Sequence, residues 1–344
     1  MHLPGEPGAS NAITDVPGVT VGYATLIRDQ PCVRTGVTAV LPRPPGDLIH
    51  PVWAGTFALN GNGEMTGCHW IAEGGWFTGP IAITNTFSLG MVHHGVMRWM
   101  ARRFPDVVGV NHWPLPVVAE TFDGWLNDIA GLHVNENDVI AAIDAAASGP
   151  IAEGCVGGGT GMIAYEFKAG TGTASRRVTT QVGKYHVGVL VQANHGLRDW
   201  LRVCGAPVGE SMRENRLWGS ERGSIIAVVA TDAPLLPHQL QRVARRAGLG
   251  VGRGGTPASN GSGDIFIAFT TANDPGPFPE PPLMNFQALA NDEMNPLFLA
   301  TVEAVDEAVL NALLAARTMT GLHGRTAHAI DPMRLMEVVR GERR

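Results

Sequence analysis

A serine flanked by glycines and followed closely by an aspartate stands in the run Asn260-Gly261-Ser262-Gly263-Asp264, between a glycine-rich stretch and the apolar run Ile265 to Phe269. Gly261 lacks a Cβ, so its carbonyl can be approached closely and its backbone can take conformations that favour attack by the Ser262 hydroxyl. Attack would give an ester that water opens, leaving Ser262 with a free α-amino group. That amine, with a reference pKa of ~7.7 to 8.0, can serve as base for its own hydroxyl without a catalytic histidine. Taken alone, the run also reads as a glycine turn entering a strand.

Other residues could serve such a nucleophile. Asn194 follows the apolar run GVLVQA and precedes His-Gly. Its amide could be held rigidly beside a reacting carbonyl as an oxyanion donor, or it could be a turn residue. Tyr165, in GMIAYEF, carries a phenol that could donate a second hydrogen bond, or it could be a core tyrosine bonded to a carbonyl; Lys184 is the alternative donor. The GGGTG run at Gly157 to Gly161 lacks the GK[ST] ending of a P-loop and the dinucleotide spacing. His93 and His94 are adjacent and point apart on a helix, HExxH does not occur, and the twelve histidines form no ligand pattern. Neither a metal nor a cofactor is expected. The nucleophile-elbow pattern GxSxG is missing as well.

The elements that must position these residues are short strands between turns. Val19 to Tyr23, Val37 to Leu41, Thr56 to Leu59 and Ile81 to Thr84 read as strands. So do Met162 to Phe167, Arg177 to Gln181, Val187 to Gln192, Ser224 to Ala230 and Ile265 to Phe269, with a hairpin around Gly183-Lys184. Apolar residues at helical spacing between Phe87 and Phe104 predict an amphipathic helix. Further helices are expected over Val139 to Ala147, Pro237 to Ala247 and Pro296 to Arg317, and GLGVGRGGTPASNGSG reads as loop. With no linker and no internal repeat, residues 1–344 are expected to form a single domain of sheets with helices on their faces.

Composition narrows the partner. The chain has 344 residues, 44% hydrophobic and 16% charged, with a net charge of -6, so it is globular and carries no basic surface for nucleic acid. Cys32, Cys68, Cys155 and Cys204 show no CxxC spacing and read as reduced and mostly buried. Without a secretory leader or an apolar run of ~18 residues, the expectation is a cytoplasmic protein, away from membranes, acting on a small molecule.

The chain resembles, over nearly its whole length, the L-aminopeptidase/D-esterase (DmpA-like) family, peptidase family S58, whose relatives include β-aminopeptidases and nylon-oligomer hydrolase. The carriers, in order, are ITDVPGVTVGYAT, GNGEMTG, WIAEGGWFTGPIAITNTFSLG, PVVAETFDGWLND, GCVGGGTGMIAYEFKAGTGTASR, GVLVQANHG, ATDAPLLPHQL and ASNGSGDIFIAFTTAN. The resemblance implies a four-layer αββα sandwich like that of N-terminal nucleophile hydrolases. It implies one precursor that cuts itself between Gly261 and Ser262 into an α chain 1–261 and a β chain 262–344, and a homo-oligomer, a tetramer by analogy.

The resemblance also assigns residues. Thr301 and Glu303 stand where the family has a hydroxyl or acidic residue and a carboxylate that orient the nucleophile. Residues two apart on a regular helix face different sides, so this role requires an irregularity or a cap at Thr301. Asn194 matches the family's asparagine, and Tyr165 falls in the strand where the family has Tyr or Lys. Glu120 resembles the acidic residue that binds the substrate's free amino group, for which a carboxylate is the right complement; Asp123 and Asp128 stand nearby as substitutes. The expected activity is that of an N-terminal-serine aminopeptidase or amidase on short peptides, amino-acid amides or esters, through an acyl-enzyme on Ser262. An endo-acting oligoamide hydrolase, or an uncleaved binding protein of the same fold, would carry the same chain pattern.

Overall fold

The structure is a computed structural model describing residues 3–221, 223–278 and 282–341. Its strands are β1 (Thr20–Arg28), β2 (Val33–Leu41), β3 (Val52–Gly61), β4 (Trp76–Phe77), β5 (Ile81–Asn85), β6 (Val117–Thr121), β7 (Ile163–Ala164), β8 (Phe167–Lys168), β9 (Thr171–Thr179), β10 (Lys184–Asn194), β11 (Ser224–Thr231) and β12 (Gly263–Thr270). The helices are α1 (Cys68–Gly74), α2 (Leu89–Arg103), α3 (Glu136–Asp144), α4 (Val208–Ser211), α5 (Pro237–Arg253), α6 (Met294–Leu314) and α7 (Pro332–Gly341).

Strands in the order β1-β2-β5-β6 make one sheet and β4-β3-β12-β11-β10-β9 a larger one. Side chains alternate across a strand, so each sheet buries two faces. Val21, Val40, Ile81, Ile83 and Val117 of the first sheet pack against Val52, Leu190, Ile226, Val228, Ile265 and Ile267 of the second. The outer face of the first sheet meets α2 and α3 through Val37, Ala39, Val92, Val96 and Val139. The outer face of the second meets α5 and α6 through Val189, Val191, Ala227, Phe266, Val243 and Ala304. The result is the expected αββα stack. Gln192 ties the two sheets together, its amide donating to Thr84 O at 2.9 Å and Thr121 Oγ1 at 2.8 Å.

Three local expectations change. The glycine-rich run GLGVGR is the last part of α5, not loop. A Cβ on Gly250 would stand 2.7 Å from Val302 O and 2.6 Å from Val305 Cβ, so glycine here lets α5 cross α6 closely; packing overrides the propensity cost. Met162 to Phe167 is not one strand but the two-residue strands β7 and β8 around Tyr165-Glu166, which have φ of 50° and 60°. The cysteines are all unpaired, but three are half-buried and Cys204 is exposed.

Candidate active site

Strand β12 runs through the larger sheet parallel to β11 and antiparallel to β3, and every residue of it is buried. Ser262 immediately precedes it and is fully buried. Its amide donates to Ser259 O at 2.9 Å, and its hydroxyl donates to Asp264 Oδ1 at 2.6 Å. Ile265, Ile267 and Phe269 join the inter-sheet core while Phe266 and Ala268 join the helix-side core. By alternation Ser262 and Asp264 share the helix-side face. Asn60 Nδ2 lies 3.1 Å from the other Asp264 oxygen and also donates to the carbonyls of Ala258 and Ser259. Burial pushes the Asp264 carboxyl up, opposed by its bonds to Ser262 and Asn60.

The carbonyl of Gly261 turns to the opposite side and accepts from Asn62 Nδ2 at 2.8 Å. There a cleft of about 500 Å³ is lined by Asn62, Gly63, Glu64, Thr86, Glu120, Phe122, Gly223, Ser224 and Gly261. Glu120, at the end of β6 and only 5% exposed, accepts from the Glu64 amide at 2.9 Å and from the Thr86 hydroxyl. Burial pushes its carboxyl up, opposed first by the Thr86 bond. A Cβ on Gly63 would come within 3.2 Å of both Glu120 Oε1 and Gly263 Cα, so little more than this glycine separates the carboxylate from the start of β12. The structure thus brings Glu120 and Gly261 to one cleft, with Ser262 next in the chain to Gly261 but buried and outside the lining.

Asn194 ends β10 opposite Ser224. Its carbonyl oxygen accepts from Ile163 N at 2.9 Å, and its amide donates to Phe122 O at 2.9 Å, which leaves one N–H over. Phe122 lines the Glu120 cleft, so Asn194 braces the cleft wall. Tyr165 lies on the helix side, wholly buried, with its hydroxyl near the Thr256 backbone and in no well-formed hydrogen bond among the described residues. Two successive positive φ values make a type I′ turn, unusual for Tyr-Glu. Arg198 holds it, donating to the carbonyls of Tyr165 and Glu166 at 2.9 and 2.7 Å while its guanidinium stacks 3.3 Å from the Phe167 ring. Burial is the main influence on the Tyr165 phenol and raises its pKa, so it stays a donor.

Among the described residues Thr301 and Glu303 make no hydrogen bond to Ser262 and have other partners. Helix α6 is regular around them: the Thr301 hydroxyl donates to Leu297 O at 2.7 Å, one turn back, and Glu303 lies 3.7 Å from Arg176 Nε. Arg176 shares a row with Val187, Thr231 and Thr270, six residues along β12 from Asp264. The last turns of α6 do reach the serine end, where a Cβ on Gly172 would meet Ala308 O and Ala312 N.

Sequence reasoning missed the polar shell of Ser262. Asp264 stood inside the motif, two residues on and so on the same face of a strand. Asn60 and Asn62 flank Gly61, and only the β3–β12 pairing of Asn60 with Asp264 reveals their place. Glu221 accepts from Ser259 N at 3.1 Å and from Gly196 N at 2.5 Å, pinning the loop before the serine to the end of β10. Ser224 Oγ accepts from Gly263 N at 3.0 Å.

The four-layer sandwich, with a serine at the head of a buried central strand and a carboxylate-walled cleft beside it, is that of a peptide-bond hydrolase with the Ntn hydrolase fold. The chain belongs to peptidase family S58, which it matches over residues 11–327. It is 49% identical over 362 residues to the beta-peptidyl aminopeptidase BapA of Sphingosinicella microcystinivorans, covering 99% of this chain and 90% of that one, and 43% identical to BapA of Sphingosinicella xenopeptidilytica, covering 98% and 88%. Among solved structures, the L-aminopeptidase D-Ala-esterase/amidase of Ochrobactrum anthropi, described as a variant of the Ntn hydrolase fold, superposes with a TM-score of 0.94 at 49% identity, over 99% of this chain and 97% of that one. A Burkholderia sp. beta-aminopeptidase superposes with a TM-score of 0.92 at 46% identity, over 98% and 96%. Among the described residues no helix is long and apolar enough to cross a membrane.

Proposed function

We propose that this protein is an aminopeptidase that cuts itself between Gly261 and Ser262 and then hydrolyses short peptides, amino-acid amides or esters with Ser262 as N-terminal nucleophile. The observation that carries the reading is the buried Glu120 carboxylate in the same cleft as the Gly261 carbonyl. A substrate ammonium held there places the amide one residue along beside Ser262. Aminopeptidase activity in the names of the relatives supports removal of a free N-terminal residue. In turnover the new α-amine of Ser262 takes the hydroxyl proton, the hydroxyl forms an acyl-enzyme with the substrate, and water releases it. The spare N–H of Asn194 and the phenol of Tyr165 are the candidate donors to the oxyanion. Cleavage frees residues 258–261 from the peptide bond that holds them over Ser262, opening the serine to the cleft.

In this reading the α chain 1–261 and the β chain 262–344 stay joined, because β12 is hydrogen-bonded to β3 and β11 of the α chain. We assign the processed protein to the cytoplasm, where four unpaired cysteines stay reduced, as a homo-oligomer, a tetramer by family analogy. The test compares a free-amine dipeptide amide with its N-acetylated form. Strong preference for the free amine is expected; equal rates would favour the endo-acting alternative. A single band near 36.4 kDa on a denaturing gel would overturn self-cleavage.

A further inference from the structure

In the uncut chain the nitrogen of Ser262 is part of the Gly261–Ser262 peptide bond, so the amine proposed as base in turnover does not exist when the first cut is made. Self-cleavage needs another base and its own oxyanion donor. We propose that Asp264 is the base and Asn62 the oxyanion donor of self-cleavage, a set distinct from the residues that handle substrate. This inference rests on the self-cleavage reading above.

The uncut structure has each group in place. The Ser262 hydroxyl already donates to Asp264 Oδ1 at 2.6 Å, and Asn60 at 3.1 Å holds the other carboxylate oxygen. The carbonyl to be attacked, that of Gly261, already accepts from Asn62 Nδ2 at 2.8 Å, and a side chain at Gly261 would meet nothing within 4 Å, so the carbonyl carbon has room to become tetrahedral. The leaving nitrogen is held by Ser259 O at 2.9 Å.

The step balances. As Ser262 Oγ bonds to the Gly261 carbonyl carbon, its proton passes to the Asp264 carboxylate and the negative charge settles on the Gly261 oxygen, facing Asn62. The carbon–nitrogen bond then breaks, its electron pair going to the Ser262 nitrogen, which takes the proton back from Asp264. The ester so formed is hydrolysed by water, giving the Gly261 carboxylate and the free Ser262 hydroxyl. Once the amine exists, proton transfer no longer depends on Asp264.

The test uses the full chain freshly released from denaturant, with the uncut fraction followed over time by mass spectrometry. Asp264→Asn keeps the shape and its one oxygen can still accept from Ser262, while its amide nitrogen would face Asn60 Nδ2, so thermal unfolding checks that it folds. Its self-cleavage should slow at least a hundredfold, and hydroxylamine, which cuts esters, should not speed it, because the block precedes the ester. Asn62 is exposed, so Asn62→Ala tests the donor without burdening the core. It should slow the cut by ~10²-fold, the effect of losing one oxyanion donor. A folded Asp264→Asn that cuts at the parent rate, or reaches an ester that hydroxylamine releases at the parent rate, overturns Asp264 as base. An Asn62→Ala that cuts at the parent rate removes the donor. If Ser262→Ala itself is still cut after Gly261, it is the self-cleavage reading that fails, separately from these two outcomes.

Discussion

The two walls around Gly261-Ser262 are built differently. The wall that carries the proposed nucleophile is a single piece of the six-stranded sheet: Ser262, Asp264, Asn60 and Asn62 lie on β12, β3 or their immediate ends, joined by short bonds to one another and to the loop 258–261. The wall that faces it belongs to the other sheet, where Glu120 and Thr86 end β6 and β5. The first wall is complete before any substrate arrives. Among the described residues the second has a buried carboxylate bonded to the Glu64 amide and the Thr86 hydroxyl and to no cation, a charge suited to a cationic ligand. Cutting and recognising are therefore separable, and substitutions on the two walls should fail in different ways.

The largest effect is expected at Ser262. Ser262→Ala removes the atom that both walls serve, so the variant should persist as one uncut chain with no measurable hydrolysis. Intact mass decides it: two chains broken after Gly261 would mean that another agent makes the cut.

Asn194 stands at the junction of the walls, braced between Phe122 O and Ile163 N. If its remaining N–H stabilises charge that develops only in the transition state, Asn194→Ala in processed protein should lower kcat by ~10² to 10³ with little change in KM. Loss of the two backbone bonds should also lower the melting temperature. A lower melting temperature with unchanged kcat would leave Asn194 as a strut only.

Glu120 tests the second wall alone. Glu120→Gln should cut kcat/KM for a free-amine substrate by roughly tenfold to a hundredfold, the worth of a charge-assisted hydrogen bond of ~1.5 to 3 kcal/mol, and leave self-cleavage at the parent rate. The sign with pH follows from its raised carboxyl: the ammonium-binding anion is present above the shifted pKa and lost as pH falls through it. The acid limb of kcat/KM should therefore lie above the ordinary glutamate range and vanish in the variant. Equal losses on free and N-acetylated substrates would make Glu120 structural, with Asp123 the next position to examine.

The legibility of these features follows their physical range. Strand β12 and helix α2 could be read because apolar spacing is local. Ser262 and Glu120 could be placed because glycine punctuation and resemblance mark them. The helical run through Gly248, Gly250 and Gly252 could not, because Gly250 packs against α6, some 50 residues on, and Gly248 against Leu59 and Phe266 of the sheet, while glycine alone argues for a loop. The turn at Tyr165 was hidden for the same reason: Arg198, 33 residues away, holds it. Asn60 and Asn62 acquire meaning only through a pairing about 200 residues distant.

The smallest effect is expected at Glu303, and there the sequence and the structure disagree most. The resemblance makes Glu303 a partner of the nucleophile, which would give a loss comparable to Asn194→Ala. In the structure its carboxylate faces the buried guanidinium of Arg176 beside the N-terminal segment, about six residues of strand away from Asp264. Removing one partner of a buried charge can be severe when the other is left alone. Arg176 is not left alone, because Glu307 pairs with it at 2.5 Å and Ser175 O accepts from it at 2.7 Å. Glu303→Gln also keeps an oxygen for Arg176. The expected outcome is a loss of about 1 kcal/mol of stability, read as a drop of a few degrees in melting temperature. Self-cleavage and kcat should stay within about twofold of the parent, because the partner of Glu303 is Arg176 and not the serine. A hundredfold fall in kcat at an unchanged melting temperature would return Glu303 to the nucleophile and show that the helix end approaches the serine during turnover.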